Sequence, residues 1–142
     1  MNDVKKLAIQ FVEAFNEHDS EALKRLFTPD VEWVVPGATL RGRAQIAGLE
    51  QSFWQAFPDG IRTIDRLVAE GLTVVEEGTF SGTHLGTFQT PGGAIPATQN
   101  RVHFTYVLVM ETKGDEISSK HFYFDTQGLL AQLGAVPADA SA

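Results

Sequence analysis

The spacing of apolar residues changes once along this chain, and that change limits the folds it can adopt. Up to residue 57 the apolar side chains recur every three or four positions, as on one face of a helix. From residue 61 onward they tend to alternate with polar residues, as in strands. Helices followed by strands predict an α+β fold, in which the N-terminal helices pack on one face of a mostly antiparallel sheet.

Three helices and one strand are predicted in the first part of the chain. The first helix spans residues 4–15. Asp19 has a side chain that can cap a second, short helix, because its carboxylate accepts from free backbone N–H groups, and Pro29 stops that helix. A strand over 31–35 and a third helix with an apolar stripe over 46–57 follow.

The second part of the chain is mostly strand. We predict strands over 61–69, 72–83, 102–111 and 117–125, and a closing helix over 127–133. Residues 85–100 contain three Gly and two Pro, which interrupt any regular element. We therefore predict a long connection there, of the kind that often covers a site.

The hairpin formed by the last two strands can pair in two ways. If the turn over 113–116 is tight, Tyr106 lies opposite Tyr123. If the loop is one residue longer, His103 lies opposite Asp125. The sequence leaves both registers open.

Composition excludes several classes of function. The chain has 142 residues, a formal net charge of −7 and no Cys. An acidic chain without basic clusters is a poor partner for nucleic acid or a membrane surface, and no disulfide or Cys-based zinc site can form. The four His do not form a ligand pair, so we expect no metal and no cofactor. We predict a cytoplasmic protein with one domain over 1–137 and a frayed tail over 138–142.

Several segments occur in an order that is typical of one family. They are Phe27–Val31, Gly82–Phe88 with the pattern Gly-Thr-His-x-Gly, Ile95–Thr98, and Tyr123–Asp125 followed by Leu129–Gly134. Together they resemble the SnoaL-like polyketide cyclases of the nuclear transport factor two-like superfamily. The resemblance implies a cone-shaped half-barrel whose curved sheet carries the helices on its concave face. It also implies one pocket for a hydrophobic small molecule inside the cone.

Asp125 is the acid–base residue that the resemblance implies. In SnoaL-like polyketide cyclases the matching Asp is the proposed acid–base group, which removes a proton next to a carbonyl and starts an aldol ring closure. Strand alternation places Asp125 on the same face as Tyr123 and His121, and we expect this face to line the pocket. An apolar pocket would raise the pKa of Asp125 modestly. The alternative is that Asp125 caps the helix that follows it.

Other side chains are expected to complete the pocket. His84, in the Gly-Thr-His-x-Gly segment, is the second catalytic candidate, since the resemblance implies that it polarises a carbonyl; it could also be a surface residue. The expected substrate-binding residues are His121, Tyr123, His103, Tyr106, Trp33, Phe53, Trp54 and Phe15. His121 could instead be an ordinary residue of the sheet. Ordinary core positions are the alternative for Tyr106, Trp33, Trp54 and Phe53.

Three functions are compatible with these residues. The first is a cofactor-free cyclase or isomerase that uses Asp125 on a hydrophobic carbonyl compound. The second is a non-catalytic protein that binds such a ligand in the same cone. The third, epoxide hydrolysis, needs a second carboxylate and an Arg in the pocket. Asp65 with Arg62 or Arg66 are the candidates, and we expect them to be solvated.

We also expect a homodimer. On the predicted alternation, Phe122 and Phe124 face away from the pocket, which gives the sheet an apolar outer surface that needs a partner.

Overall fold

The computed structural model describes residues 3–90 and 92–135. They form four helices and eight strands. The elements in chain order are α1 (Val4–Asn16), α2 (Ser20–Arg25), β1 (Phe27–Val35), β2 (Ala38–Arg41), α3 (Arg43–Ala56), β3 (Ile61–Glu70), β4 (Thr73–Thr83), β5 (Phe88–Thr90), β6 (Gly93–Ile95), β7 (Arg101–Lys113), β8 (Glu116–Phe124) and α4 (Thr126–Gln132). The frayed tail expected over 138–142 lies outside the described residues.

Six strands form one curved sheet that does not close into a barrel. Their order is β2-β1-β8-β7-β4-β3. Neighbouring strands are antiparallel except β1 and β8, which are parallel. With the helices packed on the concave face, this is the predicted α+β cone.

The core lies between this concave face and the helices. Alternate residues of β7 are buried, from Val102 to Met110, because strand side chains point to opposite faces in turn. Helix α1 covers them with one apolar stripe that includes Phe11 and Phe15. Asp3 caps this helix by accepting from the backbone N–H of Lys5.

Strand β1 begins earlier than predicted. We expected Pro29 to stop a helix, and a strand only from residue 31, whereas β1 starts at Phe27. Pro29 is tolerated inside this strand because the pairing with β8 is irregular there, between Phe27 and Glu32. Strand β2 was not predicted.

The segment over 85–100 is more ordered than a plain connection. It contains the hairpin β5–β6, which forms a two-stranded sheet of its own. We call residues 85–90 and 92–98 the flap.

Neither predicted register of the last hairpin is correct. Lys113 does pair with Glu116, as a tight turn requires. A bulge then shifts the pairing by one residue, so that Tyr106 lies opposite Phe124. A bulge of this kind depends on how the sheet curves, which the turn residues do not determine.

No helix in the described part of the chain is long and apolar enough to cross a membrane.

Candidate functional site

A pocket of about 370 Å³ opens between the sheet, helix α3, helix α4 and the flap. Its lining is almost entirely apolar. The lining residues are Trp33, Val35, Pro36, Gly37, Leu49, Phe53, Phe88, Gln89, Thr90, Gly92, Phe122, Phe124, Thr126, Leu129 and Leu130. Two of the predicted site residues, Trp33 and Phe53, are among them, and none of the lining side chains from the described residues is ionisable.

Strand β8 faces the opposite way from our expectation. Phe122 is buried and lines the pocket together with Phe124, whereas Tyr123 is 53% exposed on the outer face. The two Phe rings lie inside because burial removes their apolar surface from water. Tyr123 can lie outside because its hydroxyl is solvated there. The expected placement of Asp125 and Tyr123 in the pocket is therefore wrong.

Asp125 caps helix α4 at the rim of the cone. It is exposed, and its Oδ1 accepts from the backbone N–H of Gly128 at 2.9 Å. Gly128 leaves room for this contact, since a Cβ there would lie 2.5 Å from the other carboxylate oxygen. The capping alternative from the sequence thus describes the position of Asp125.

His84 is buried and holds the flap. Its Nδ1 accepts from the backbone N–H of Thr98 at 3.2 Å and lies 2.9 Å from the hydroxyl of the same residue. The ring packs on Phe57 and Phe88, and Phe88 lines the pocket. Burial lowers the pKa of His84, which favours the neutral ring that this contact needs. His84 does not line the pocket, so the structure places it behind the flap.

Three further candidates lie outside the pocket. His121 and Tyr123 are on the outer face of the sheet, where Nδ1 of His121 lies 3.3 Å from the hydroxyl of Tyr123. His103 is exposed, and its backbone holds helix α4 through two hydrogen bonds with the side chain of Gln132. The expected pocket positions of all three are wrong, for the same reason of strand alternation.

Two further aromatic candidates, Trp54 and Phe15, also do not line the pocket. Trp54 stacks on His18 at the surface of α3, with ring centroids 4.9 Å apart. Phe15 is buried, and its ring centroid lies 4.3 Å from Cζ of Arg62.

A cluster of buried ionisable side chains lies behind the pocket wall. Lys120 donates to Oε1 of Glu50 at 3.4 Å, and Nη2 of Arg62 lies 3.9 Å from Oε2 of the same carboxylate. All three side chains are almost fully shielded from solvent. Charges are buried at this depth only when they are paired, and Glu50 provides the shared partner. The expectation that Arg62 is solvated is wrong, whereas Asp65 is exposed and bonds to Thr79.

Glu76 and Tyr106 form the second part of this cluster. The Tyr106 hydroxyl donates to Oε2 of Glu76, and both side chains are buried. Gly78, opposite Tyr106 on the neighbouring strand, is required here because a Cβ would overlap the hydroxyl. Tyr106 was predicted to bind substrate, but it lies one ring behind the pocket, with its centroid 5.3 Å from that of Phe122.

Burial dominates the acid–base properties of the cluster. It raises the pKa of Glu76, although the Tyr106 hydroxyl, Arg62 and Lys120 oppose the rise. It lowers the pKa of Lys120 to about 7, against the attraction of Glu50. Lys120 can therefore hold or release a proton near neutral pH.

Sequence reasoning missed most of this cluster, although one signal was present. Lys120 shares strand parity with Phe122 and Phe124, and a Lys in phase with two Phe on one strand indicates a buried cation. Glu50 lies in phase with the apolar stripe of α3, between Ile46 and Phe53.

No three His, Asp or Glu side chains within residues 3–90 and 92–135 lie close enough to hold a metal ion.

The comparison with protein families matches residues 8–120 to the SnoaL-like domain. The chain belongs to this family. The resemblance predicted from the sequence motifs is thus confirmed. No curated protein matches the sequence.

Solved structures agree with this assignment. TsrD from Streptomyces laurentii is 27% identical, with 96% of this chain and 100% of that chain covered and a TM-score of 0.82. IdmH from Streptomyces antibioticus, a proposed polyketide cyclase, is 25% identical over 94% and 99%, with a TM-score of 0.77. A protein with a ketosteroid isomerase-like fold from Catenulispora acidiphila, solved with trimethylamine, is 27% identical, with 94% of this chain and 95% of that chain covered and a TM-score of 0.76.

The capping role of Asp125 makes a first prediction. Asp125→Ala should lower the free energy of unfolding by about 1 kcal/mol, since an orphan N–H of α4 loses its acceptor. Asp125→Asn should cost less than half of that, because Asn caps a helix as well as Asp. Urea unfolding of the three proteins measures both effects. Equal losses in the two variants would contradict the capping role.

Proposed function

We propose that this SnoaL-like domain binds a flat, hydrophobic small molecule in the pocket and acts on it by acid–base chemistry without a cofactor. The observation that carries this proposal is the apolar pocket of about 370 Å³ lined by five aromatic side chains. Pockets of this size and lining enclose most of the surface of a drug-sized ligand. Trp33, Phe122 and Phe124 contribute aromatic rings to this lining, against which a planar compound can pack.

The names of related proteins support a small-molecule substrate. IdmH is a proposed polyketide cyclase, and the Catenulispora protein was solved with a small amine. A conjugated carbonyl compound that closes a ring or isomerises through an enolate fits both the apolar pocket and these names.

The acid–base group that we propose is the Glu76–Tyr106 pair rather than Asp125. Glu76 is buried and accepts from Tyr106, and burial raises its pKa, which makes its carboxylate a stronger base toward a carbon acid. The ring of Phe122 lies between this pair and the pocket, so contact with substrate requires that ring to turn. Epoxide hydrolysis would need two carboxylates and an Arg in the pocket, whereas Glu50, Glu76 and Arg62 lie behind its wall.

The alternative is a carrier that binds the same ligand without changing it. It is favoured by one specific observation, which is that the pocket lining contains no ionisable side chain. The two functions differ in whether a bound ketone exchanges its α-protons.

Filling the pocket should abolish binding without harming the fold. Leu130 lines the pocket and is half-buried, so Leu130→Trp places a large ring inside it. We expect the affinity for a neutral probe, 2-naphthamide, to fall about tenfold or more, which corresponds to about 1.4 kcal/mol. Gln127→Trp is the matched control, because Gln127 is exposed on the same helix and does not line the pocket. Isothermal titration with unchanged affinity in Leu130→Trp would contradict the assignment of the site.

Proton exchange separates the enzyme from the carrier. The wild-type protein in D₂O should accelerate deuterium uptake at the methyl group of 2-acetylnaphthalene, followed by NMR. Glu76→Gln should slow this exchange by about 10²- to 10⁴-fold while the ketone still binds, since positioned proton transfer contributes that much. Glu77→Gln, the exposed neighbour on β4, should leave it unchanged. A bound ketone that does not exchange in the wild-type protein would instead establish the carrier.

We also propose that the domain forms a homodimer through the outer face of the sheet. Our earlier reason was wrong, since Phe122 and Phe124 face inward. The outer face nevertheless carries an apolar group over the central strands, which consists of Val34, Val75, Val107, Val109, His121 and Tyr123. Contiguous apolar surface of this kind marks an interaction site.

Light scattering at micromolar concentration should therefore give the mass of a dimer. Val109→Glu places a charge at the centre of this group and should produce a monomer. Leu72→Glu, which changes an exposed apolar residue in the turn between β3 and β4, is the control and should remain dimeric. A monomer mass for the wild-type protein would contradict this proposal.

A further inference from the structure

Two rings separate the pocket from the buried cluster, and each has a cation behind it. Nζ of Lys120 lies 3.7 Å from the ring centroid of Trp33. Cζ of Arg62 lies 5.2 Å from the ring centroid of Phe122. Both rings also line the pocket. The inner wall of the pocket is thus an aromatic layer backed by positive charge.

The negative charges of the cluster only partly cancel these cations at the wall. Glu50 is one carboxylate shared by two cations, with contacts of 3.4 and 3.9 Å. Glu76 accepts from the Tyr106 hydroxyl and makes no close contact with either cation. Burial raises the pKa of Glu76, which favours its neutral form. Next to Trp33 and Phe122, the two cations therefore share one close carboxylate.

Lys120 responds to the charge of whatever occupies the pocket. The charged groups that surround it are Glu50 on α3, Arg62 on β3 and Glu76 on β4. Because its pKa is lowered to about 7, an anion on the far side of Trp33 favours the charged form, and a cation favours the neutral form.

A cation on one face of an aromatic ring attracts the electron density of that ring. The other face then becomes a poorer site for an ammonium group and a better one for an electron-rich or anionic partner. The indole N–H of Trp33 adds a donor, since it is buried and has no hydrogen-bond partner among the described residues. Each of these features of the wall favours a ligand that accepts hydrogen bonds and carries negative charge.

We propose that Lys120 and Arg62 determine the specificity of the pocket and make it select planar compounds with a delocalised negative charge. Carboxylates, phenolates and enolates attached to an aromatic or conjugated framework belong to this class. This inference rests on the proposed function, since it requires that the pocket bind a hydrophobic compound. The inference identifies the charge that the compound carries when bound. The enolate formed from a carbonyl substrate would be stabilised by the same two cations behind the pocket wall.

The test compares three probes of one shape in the wild-type protein. These are 2-naphthoate, 2-naphthamide and 2-naphthylmethylammonium, titrated calorimetrically near neutral pH. We expect the anion to bind about tenfold more tightly than the amide, which corresponds to about 1.4 kcal/mol, and the ammonium to bind more weakly than both. Equal affinities, or tighter binding of the ammonium, would overturn the inference. In that case binding of the amide would leave the proposed pocket intact, whereas failure of all three probes would remove the proposed function itself.

A variant of Lys120 then tests whether the cluster causes the preference. Lys120→Met removes one of the two cations that share Glu50 and leaves Arg62 as the partner of that carboxylate. We expect the preference for 2-naphthoate over 2-naphthamide to fall by about threefold or more. An unchanged preference in the folded variant would show that Lys120 does not determine it.

The surface offers a matched control for this variant. Lys24 and Glu21 form an ion pair on α2 at the same distance of 3.4 Å, but in solvent. Lys24→Met removes the same charge far from the pocket and should leave the preference as it is. A fall of equal size in this control would mean that net charge, rather than the buried wall, sets the preference. The ranking of the three probes on the wild-type protein decides the inference if the buried variant does not fold.

Discussion

The side chains of Lys120, Phe122 and Phe124 point from β8 into the cone, and the arrangement of the site depends on this orientation of the strand. An ammonium group inside a protein requires a carboxylate beside it, and Glu50 on α3 supplies one at 3.4 Å. The same helix places Leu49 and Phe53 on the pocket. The need to neutralise Lys120 therefore helps to fix how α3 lies on the sheet, and with it the width of the pocket.

The interior of the cone is divided into two compartments with different chemistry. Toward the flap it is an apolar pocket, and deeper it is a cluster of ionisable groups with little access to water. The rings of Trp33 and Phe122 are the partition. Electrostatic interactions are stronger in such surroundings than in solvent, so charges behind the partition can act on a compound in front of it.

The family resemblance located the fold and the pocket but not the reactive group. Asp125 occupies the position that the resemblance singles out, and in this chain its carboxylate caps α4. His84 likewise holds the flap to the body of the domain through Thr98, instead of facing the pocket. A fold shared across the family thus leaves the assignment of chemistry to the side chains that each member buries.

The sequence by itself determined the α+β class, the helical segments over the first 57 residues, the main strands and the family, because periodicity and motif order are local properties of the chain. Trp33 and Phe53 could be placed in the pocket on the same basis. The structure alone decided which face of β8 is inside, since a bulge near residue 118 shifts the hairpin register and both faces carry aromatic residues. It also decided the burial of Glu50, Arg62, Glu76 and Lys120. Buried charges are stable only as a set, and members that lie up to 70 residues apart along the chain meet only once the helices dock on the curved sheet.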